Sequence, residues 1–433
     1  MVEALRGTPD HAAAASLEFL DTLFREYGPR EFGIRLWDGT TVPADPGAEE
    51  RFTLVFRRPG VLRRMFLRPS DLSLGEAYVH GDVDIEGNLE AVFPLAEWLL
   101  EAPRPLDERV RQALRLRRLP REDSRPAGRV GARLRGTRHS LERDRQAVTY
   151  HYDLSNDFFR LFLDERMVYS CAYFASASES LDAAQERKLD YICRKLRLAP
   201  GERLLDLGCG WGGLVLHAAE RFGVEAVGIT LSEPQATLAR ERIREAGLAD
   251  RCRIDLLDYR ELDEPAAYDK VVSVGMFEHV GEERLPDYFH RAFSLLRPGG
   301  AFLNHGIAQP LGVRPHRRPT FGERYVFPDG SLTTISAALA AAEQAGFEVR
   351  DVESLREHYE LTLRNWVRRL EEHADEARRA ADPVSYRVWR LYMSAAAWRF
   401  RMNRASVYQA LLVRPDAGRS NLPLTRADWY GGS

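Results

Sequence analysis

The run Leu205-Asp206-Leu207-Gly208-Cys209-Gly210-Trp211-Gly212-Gly213 puts a carboxylate and four glycines where an apolar run gives way to a helical pattern. Glycines there let a ligand approach the backbone, and the following helix start offers free N–H groups. Two chemistries compete for such a loop. A dinucleotide site wants GxGxxG and an acid at the end of the second strand for a ribose. Here the glycines read GxGxGG, and the second strand ends in Thr230-Leu231-Ser232. Asp206 would repel a pyrophosphate but suits an ammonium. S-adenosylmethionine carries an amino-acid ammonium and a sulfonium and has no phosphate, so the loop favours it. The cofactor-binding candidates are Asp206, Gly208, Cys209, Gly210, Trp211 and Gly212. Thr230, Leu231, Ser232 and Gln235 join them at the strand edge where doubly wound sheets bind ligands. Asp258 and Tyr259 follow the third strand and are placed to hydrogen-bond and cover an adenine. Taken alone, Asp258 reads as a surface loop residue.

The elements that must hold these residues are those of an α/β fold. From about 146 to 415 strands alternate with helical patterns, the signature of a parallel sheet. Strands are expected at 203–207, 226–230, 253–256, 270–274 and 301–305, with a further candidate at 347–352 and a last one at 407–413. Helices are expected at 233–246, 361–380 and 384–400. Residues 1–103 mix a helix at 12–27 with short alternating segments at 34–37 and 53–56, a turn at Asp38-Gly39 and an amphipathic helix at 89–100. A small α+β binding module fits that region.

Further segments carry a resemblance. HYDLSNDFFRLFLDERMVYSCAYF (151–174), LDLGCGWGG (205–213), TLSEPQ (230–235), DYREL (258–262), VSVGMFEHVG (272–281), NHGI (304–307), RYVFPDG (324–330) and HYELTLRNW (358–366) stand in order. Together they resemble the cyclopropane-fatty-acyl-phospholipid synthase family, with its relatives the mycolic acid cyclopropane synthases and fatty-acyl methyltransferases. The resemblance spans about 151–413; the N-terminal part resembles the family's lipid-binding domain more loosely. It implies a class I S-adenosylmethionine-dependent methyltransferase sheet, Rossmann-like, with a helical lid that includes His151 and Tyr152. It also implies methyl transfer to a cis double bond of a phospholipid acyl chain, then proton loss and closure of a cyclopropane. The family holds a bicarbonate ion as base, and Cys171, Glu278, His305, the Ile307 backbone and Tyr359 match its positions. Tyr169 and Ser170 match a segment that touches the cofactor. Each has a plainer alternative: Cys171 a small buried apolar residue, His305 a satisfied core histidine, Tyr359 a packing residue. Relatives that make branched chains can lack the Glu278–His305 pair, so its presence favours the cyclopropane product. A methyl-branched or methylenated chain is the alternative within the same chemistry, and a small-molecule methyltransferase the alternative from another class. Where many members have a cysteine in a late helix, this chain has Ala396, which excludes a thiolate mechanism there. The Arg/Pro-rich insert Val313–Pro319 is a second departure, at the expected substrate entrance.

Composition bounds the rest. The chain has 433 residues, 44% hydrophobic and 29% charged, in the globular range. No apolar run reaches the roughly 18 residues of a spanning helix, and the first residues lack a signal-peptide core. Cys171, Cys193, Cys209 and Cys252 form no CxxC pair, so no metal site or disulfide framework is expected, and the cytoplasm is the expected compartment. Between Arg104 and Arg145 there are 14 Arg against 6 Asp and Glu, a local +8 within a chain of net −3. Only Lys188, Lys195 and Lys270 are lysines. Prolines and glycines interrupt the basic stretch, so 104–145 reads as a linker between a 1–103 domain and a 146–415 catalytic domain, with 416–433 a loosely held polar tail. With a bilayer-embedded substrate implied, those arginines are expected to hold the enzyme peripherally at an anionic membrane surface. Nucleic acid is the least expected partner; a homodimer is an expectation of the resemblance.

Overall fold

The computed structural model describes residues 11–101, 105–121, 128–152, 154–313 and 319–430. The chain divides into two compact units. The first comprises Met1–Gly131, His316–Val326 and Asp382–Ala395; the second comprises Ala132–Pro315, Phe327–Ala381 and Ala396–Ser433. The first unit is thus assembled from three separate stretches of chain, which a reading by contiguous composition does not reveal.

The first unit holds four strands, β1 (Phe32–Arg35), β2 (Thr41–Val42), β3 (Phe52–Phe56) and β4 (Val83–Gly87), in the order β2-β1-β3-β4. β1 and β3 run parallel, and the outer pairs are antiparallel. Helices His11–Phe24, Asp71–Val79 and Phe93–Glu101 each bury an apolar stripe. Ser70 starts the second with a reciprocal capping box to Ser73. The later segments join through named bonds: Asp71 accepts from the Phe321 N–H at 2.7 Å, and Arg387 donates to the Tyr78 carbonyl at 2.7 Å.

The second unit is built on seven strands: β5 (Arg203–Leu207), β6 (Glu225–Thr230), β7 (Cys252–Leu256), β8 (Tyr268–Val274), β9 (Leu296–Ala308), β10 (Glu348–Ser354) and β11 (Ser406–Val413). Their order is β10-β11-β9-β8-β5-β6-β7. β7, β6, β5, β8 and β9 are mutually parallel, as expected from sequence. β11 is antiparallel to β9 and β10 to β11, so the sheet is mixed at this edge. The difference has a physical reason: a strand buried on both faces shows a continuous apolar run whichever way it points. Apolar cores lie on each face of the sheet, one around Val215, Ala218 and Ile192, the other around Tyr288, Phe289 and Phe302.

Two expectations change. The stretch 104–145 is structured at both ends. Helix Leu106–Arg117 lies in the first unit, where Arg115 donates to Thr22 Oγ1 at 2.9 Å. Helix Leu141–Tyr152 lies in the second, where Asp144 pairs with Arg260 at 2.9 Å and Arg145 with Glu261 at 3.0 Å. As far as Tyr430 the tail is anchored: Trp429 is buried, Arg426 pairs with Asp351 at 2.8 Å, and Asp428 pairs with Arg197 at 2.7 Å. A single aromatic anchor is invisible to the polar average of the segment. Of the insert Val313–Pro319, residues 314–318 lie outside the described residues. Among the described residues no helix is long and apolar enough to cross a membrane, and no cluster of His, Cys, Asp or Glu could hold a metal ion. All four cysteines are free and buried.

Candidate active site

Parallel strands release their chain at one sheet edge, and β5, β6 and β8 carry theirs into a single cavity in the second unit. At the end of β5 the Gly208 and Cys209 N–H groups both donate to the Ile229 carbonyl, at 3.0 and 2.9 Å, which bends the loop back over β6. Gly208 has φ +90°, and a Cβ there would stand 2.9 Å from Met276 Cβ, so only glycine fits without strain. Gly210 also has positive φ, +54°, but around it lies open space. The loop is therefore a cradle kept free of side chains on its ligand side.

The cavity is lined by Asp206, Gly208, Cys209, Gly210 and Trp211 from this loop, by Thr230, Leu231 and Gln235 after β6, and by Asp258 and Tyr259 after β7. Tyr169 and Ser170 close it from the preceding segment. Two candidates lie outside the lining. Gly212, φ +77°, begins helix Gly213–Phe222, and the Ser232 hydroxyl caps helix Glu233–Glu245 by accepting from the Gln235 N–H. Both set the start of a helix rather than the wall. Asp258 lines the cavity, but its carboxylate accepts from Arg260 Nε at 2.8 Å and from its terminal nitrogen at 2.7 Å, and Arg260 also bridges Asp144. Trp211 is fixed by its Nε1–H, which donates to Asn156 Oδ1 at 2.8 Å, and packs on Phe159 at 5.1 Å between ring centres. Tyr169 stacks on Trp366 at 5.1 Å.

Asp206 is the electrostatic centre of this wall. It is 3% exposed, its Oδ1 has no hydrogen-bond partner, and burial pushes its carboxyl up to about 7 against the pull of Lys188. A desolvated, unpartnered carboxylate facing a cavity is a site for a cation.

The second group of candidates gathers where β8, β9 and β11 meet. Glu278, in a single turn after β8, accepts from the Ile307 N–H through Oε1 at 2.6 Å. Its Oε2 is buried without a partner, and burial lifts its carboxyl to about 7. His305 lies two residues before Ile307 on β9, on the same face, fully buried. Its Nδ1 faces the Gln409 amide nitrogen at 3.2 Å, which leaves the proton of the neutral ring on Nε2; that atom has no partner. Burial depresses the imidazole well below its usual range. Cys171 is wholly buried, its Sγ 3.7 Å from the Leu355 carbonyl, and burial drives its thiol far up. Tyr359 donates its N–H to the same carbonyl at 3.0 Å, and its ring packs on Phe400. Leu355 in turn donates to Val407, the residue opposite Ile307 across β9 and β11. The five candidates therefore belong to one contiguous network. Two buried polar atoms are unanswered: Glu278 Oε2, an acceptor, and His305 Nε2, a donor, a pair whose chemistry suits a small protonated oxyanion. Ser170 connects the groups: it lines the cavity, and Gly275, whose N–H donates to the His305 carbonyl at 2.9 Å, lies beside it.

The sequence matches the mycolic acid cyclopropane synthetase family over residues 139–410 and a domain of unknown function over 19–97. It is 41% identical over 401 residues to a probable fatty acid methyltransferase of Pseudomonas putida, covering 92% of this chain and 95% of that one. The chain belongs to the mycolic acid cyclopropane synthetase family. Like the rest of this family, it has the sheet of a class I S-adenosylmethionine-dependent methyltransferase. It is also 36% identical over 418 residues to the tuberculostearic acid methyltransferase UfaA1 of Mycobacterium tuberculosis, covering 93% and 92% of the two chains. Among solved structures, the mycolic acid cyclopropane synthase CmaA1 complexed with SAH (S-adenosylhomocysteine) and CTAB is similar. It aligns with TM-score 0.59 at 36% identity over 62% of this chain and 97% of that one.

Several lining residues were not singled out from sequence: Lys188, Met276, His279, Arg260 and Asp329. Lys188 carried a signal. In a chain with three lysines among 62 basic residues, it falls on the buried face of helix Leu181–Leu196, in step with Ala184, Gln185 and Ile192.

Proposed function

We propose that the chain transfers the methyl group of S-adenosylmethionine to the cis double bond of an unsaturated phospholipid acyl chain, with loss of a proton and closure of a cyclopropane. The observation that carries this reading is the Glu278–His305 pair, each with a buried polar atom that the protein itself leaves unanswered. S-adenosylmethionine, when bound, supplies an electrophilic methyl on a sulfonium. A bicarbonate between Glu278 and His305 would supply a small base that, unlike a protein nucleophile, is not permanently lost if alkylated.

The residues' parts follow from their surroundings. Asp206 holds an ammonium and so orients the methyl donor. Trp211, Tyr169 and Tyr152 line the cavity with aromatic faces, which attract positive charge by up to about 2 kcal/mol once desolvated. They also exclude water, which would quench a cationic centre on the acyl chain as an alcohol. Glu278, pinned by the Ile307 N–H, accepts through its free oxygen; His305, pinned by Gln409, donates through Nε2. Cys171, with its thiol held protonated, is a weak donor at the same end and not a nucleophile.

A second reading has its own support. The relatives that match more than nine-tenths of the chain are named methyltransferases, while the cyclopropane synthase structure matches 62% of it. On that reading the same first step ends in a methyl-branched or methylenated chain. Lipid mass spectrometry of a host expressing the chain separates the two. A gain of one CH2 at unchanged unsaturation, resistant to double-bond cleavage, is the cyclopropane result. A cleavable product of that mass, or a gain of CH2 with two further hydrogens, overturns it. Unmodified lipids overturn both.

Arginine-rich docking to an anionic membrane belongs to the same proposal. On helix Leu106–Arg117 and just after it, Arg117, Arg118 and Arg121 are exposed beside the exposed Val110 and Leu114. An arginine face with apolar side chains suits the headgroup boundary of a bilayer.

A further inference from the structure

We infer that Lys188 is the cationic half of an amino-acid clamp: its ammonium receives the α-carboxylate of the methyl donor while Asp206 receives the α-ammonium. The inference rests on the cofactor reading above and names a contact that none of the recognised motifs contains.

Three observations carry it. Lys188 is 1% exposed by its surroundings, yet it lines the same cavity as Asp206. It is also the one lysine without an ion pair among the described residues. Lys195 has Glu353 and Asp351, and Lys270 has Glu202. Of the three N–H groups on its ammonium, one donates to Ser170 Oγ at 3.0 Å. The third observation concerns the acids nearby. Asp164 accepts from the Val168 and Arg166 N–H groups at 2.8 and 2.9 Å and is committed to holding its own loop. Asp206 acts on Lys188 only through space. A buried ammonium is costly unless paired and hydrogen-bonded. Burial accordingly brings Lys188 down to about 8, which still leaves it charged at neutral pH.

The cavity wall thus carries one unpaired cation and one unpaired anion. An α-amino acid is the complementary dipole. The neighbourhood is also rigid. One helical turn before Lys188, Gln185 donates to the Val168 and Ser170 carbonyls at 3.1 and 2.9 Å, which fixes the segment bearing Ser170. Ser170 Oγ, oriented by Lys188, offers its own proton towards the same carboxylate.

The test is calorimetry with two ligands on the full chain. S-adenosylhomocysteine has both charges; its decarboxylated analogue, with a 3-aminopropylthio group on the adenosine, keeps the ammonium and lacks the carboxylate. Lys188→Met removes the charge at similar volume. It is expected to weaken S-adenosylhomocysteine on the order of ten- to a hundredfold, the range of one charge-assisted hydrogen bond. The analogue should bind the variant about as well as it binds the wild type, which also certifies the fold. Should Lys188→Met not fold, Lys188→Gln is read in the same way. Equal loss for both ligands, or no loss for either, overturns the clamp while leaving the cofactor reading standing. Failure of the wild type to bind S-adenosylhomocysteine overturns the cofactor reading and the clamp with it.

Discussion

Glu278 and Asp206 are carboxyls that burial lifts to about 7, from ordinary values of 4.5 and 3.8. In the ligand-free protein each is therefore only partly ionised at neutral pH. A group with a raised folded pKa contributes its stability in full below the unfolded value and loses it as pH rises through the folded one. Ionised Glu278 therefore weakens the free enzyme above about pH 7, by up to about 3 kcal/mol. Glu278→Gln removes that titration. The variant should melt above wild type at pH 8, with the gap closing as the pH falls towards 4.5, and should bind S-adenosylhomocysteine normally while turnover collapses. A variant that melts no higher at pH 8, or turns over normally, contradicts the assignment. Asp206 predicts the opposite trend for binding. Its carboxylate must be ionised to hold an ammonium, so S-adenosylhomocysteine affinity should rise with pH through about 7. It should fall again as Lys188 loses its proton above about 8. Asp206→Asn should weaken binding and erase the rise; a flat wild-type profile on calorimetry would count against the role given to Asp206.

The loop after β5 shows why part of the site was legible. Its glycines and Asp206 are neighbours in sequence, and the strand that ends there and the helix that begins there have their own signatures. Gly208→Ala tests the element directly. At φ +90° with Met276 Cβ 2.9 Å from the added carbon, the substitution should cost roughly 1–3 kcal/mol and weaken S-adenosylhomocysteine. Denaturant unfolding and calorimetry read the two effects, and an unaffected variant would mean the loop tolerates a side chain. The five central parallel strands were legible for the same local reason. What escaped depends on distant partners. The antiparallel direction of β11, which lies between β9 and β10, is set by its neighbours, not by its own apolar run. β4, Val83-Asp84-Ile85-Glu86-Gly87, is short with two acids among its five residues, and is a strand because β3 pairs with it. Lys188 is marked in the sequence only by its rarity and its step with Ala184 and Ile192; its place in the cavity wall depends on the packing of that helix. The tail escaped because one residue decides it: Trp429 is buried with the cations of Lys195, Arg197 and Arg426 over its ring. Trp429→Ala should lower unfolding stability by about 3 kcal/mol; a loss under about 0.5 kcal/mol would restore the loose tail.

At the scale of the whole molecule, the chain has two kinds of relative. Methyltransferases match nearly all of it, whereas the cyclopropane synthase structure matches little beyond the second unit's span. The exposed arginines of helix Leu106–Arg117 and of the residues just after it belong to the first unit. Among the described residues Arg117, Arg118 and Arg121 have no acidic partner, unlike Arg111, which pairs with Asp107 at 2.7 Å, and Arg115, which faces Glu18 at 3.5 Å. Unpaired arginines contribute about 1 kcal/mol each near an anionic surface, and the effect is screened within about a Debye length. Binding to vesicles containing anionic phospholipid should accordingly fall steeply with salt and be weak on neutral vesicles. Replacing Arg117, Arg118 and Arg121 together by Glu should lower sedimentation with anionic vesicles by more than about tenfold in affinity. Val110→Ser with Leu114→Ser should lower it on both kinds of vesicle, since that loss is of apolar contact. Neither variant should alter calorimetric affinity for S-adenosylhomocysteine, whose cavity lies wholly in the second unit. Vesicle binding that ignores lipid charge and salt, or that survives the arginine reversal, would mean that the basic stretch only joins the two units and that the acyl substrate is reached by another surface.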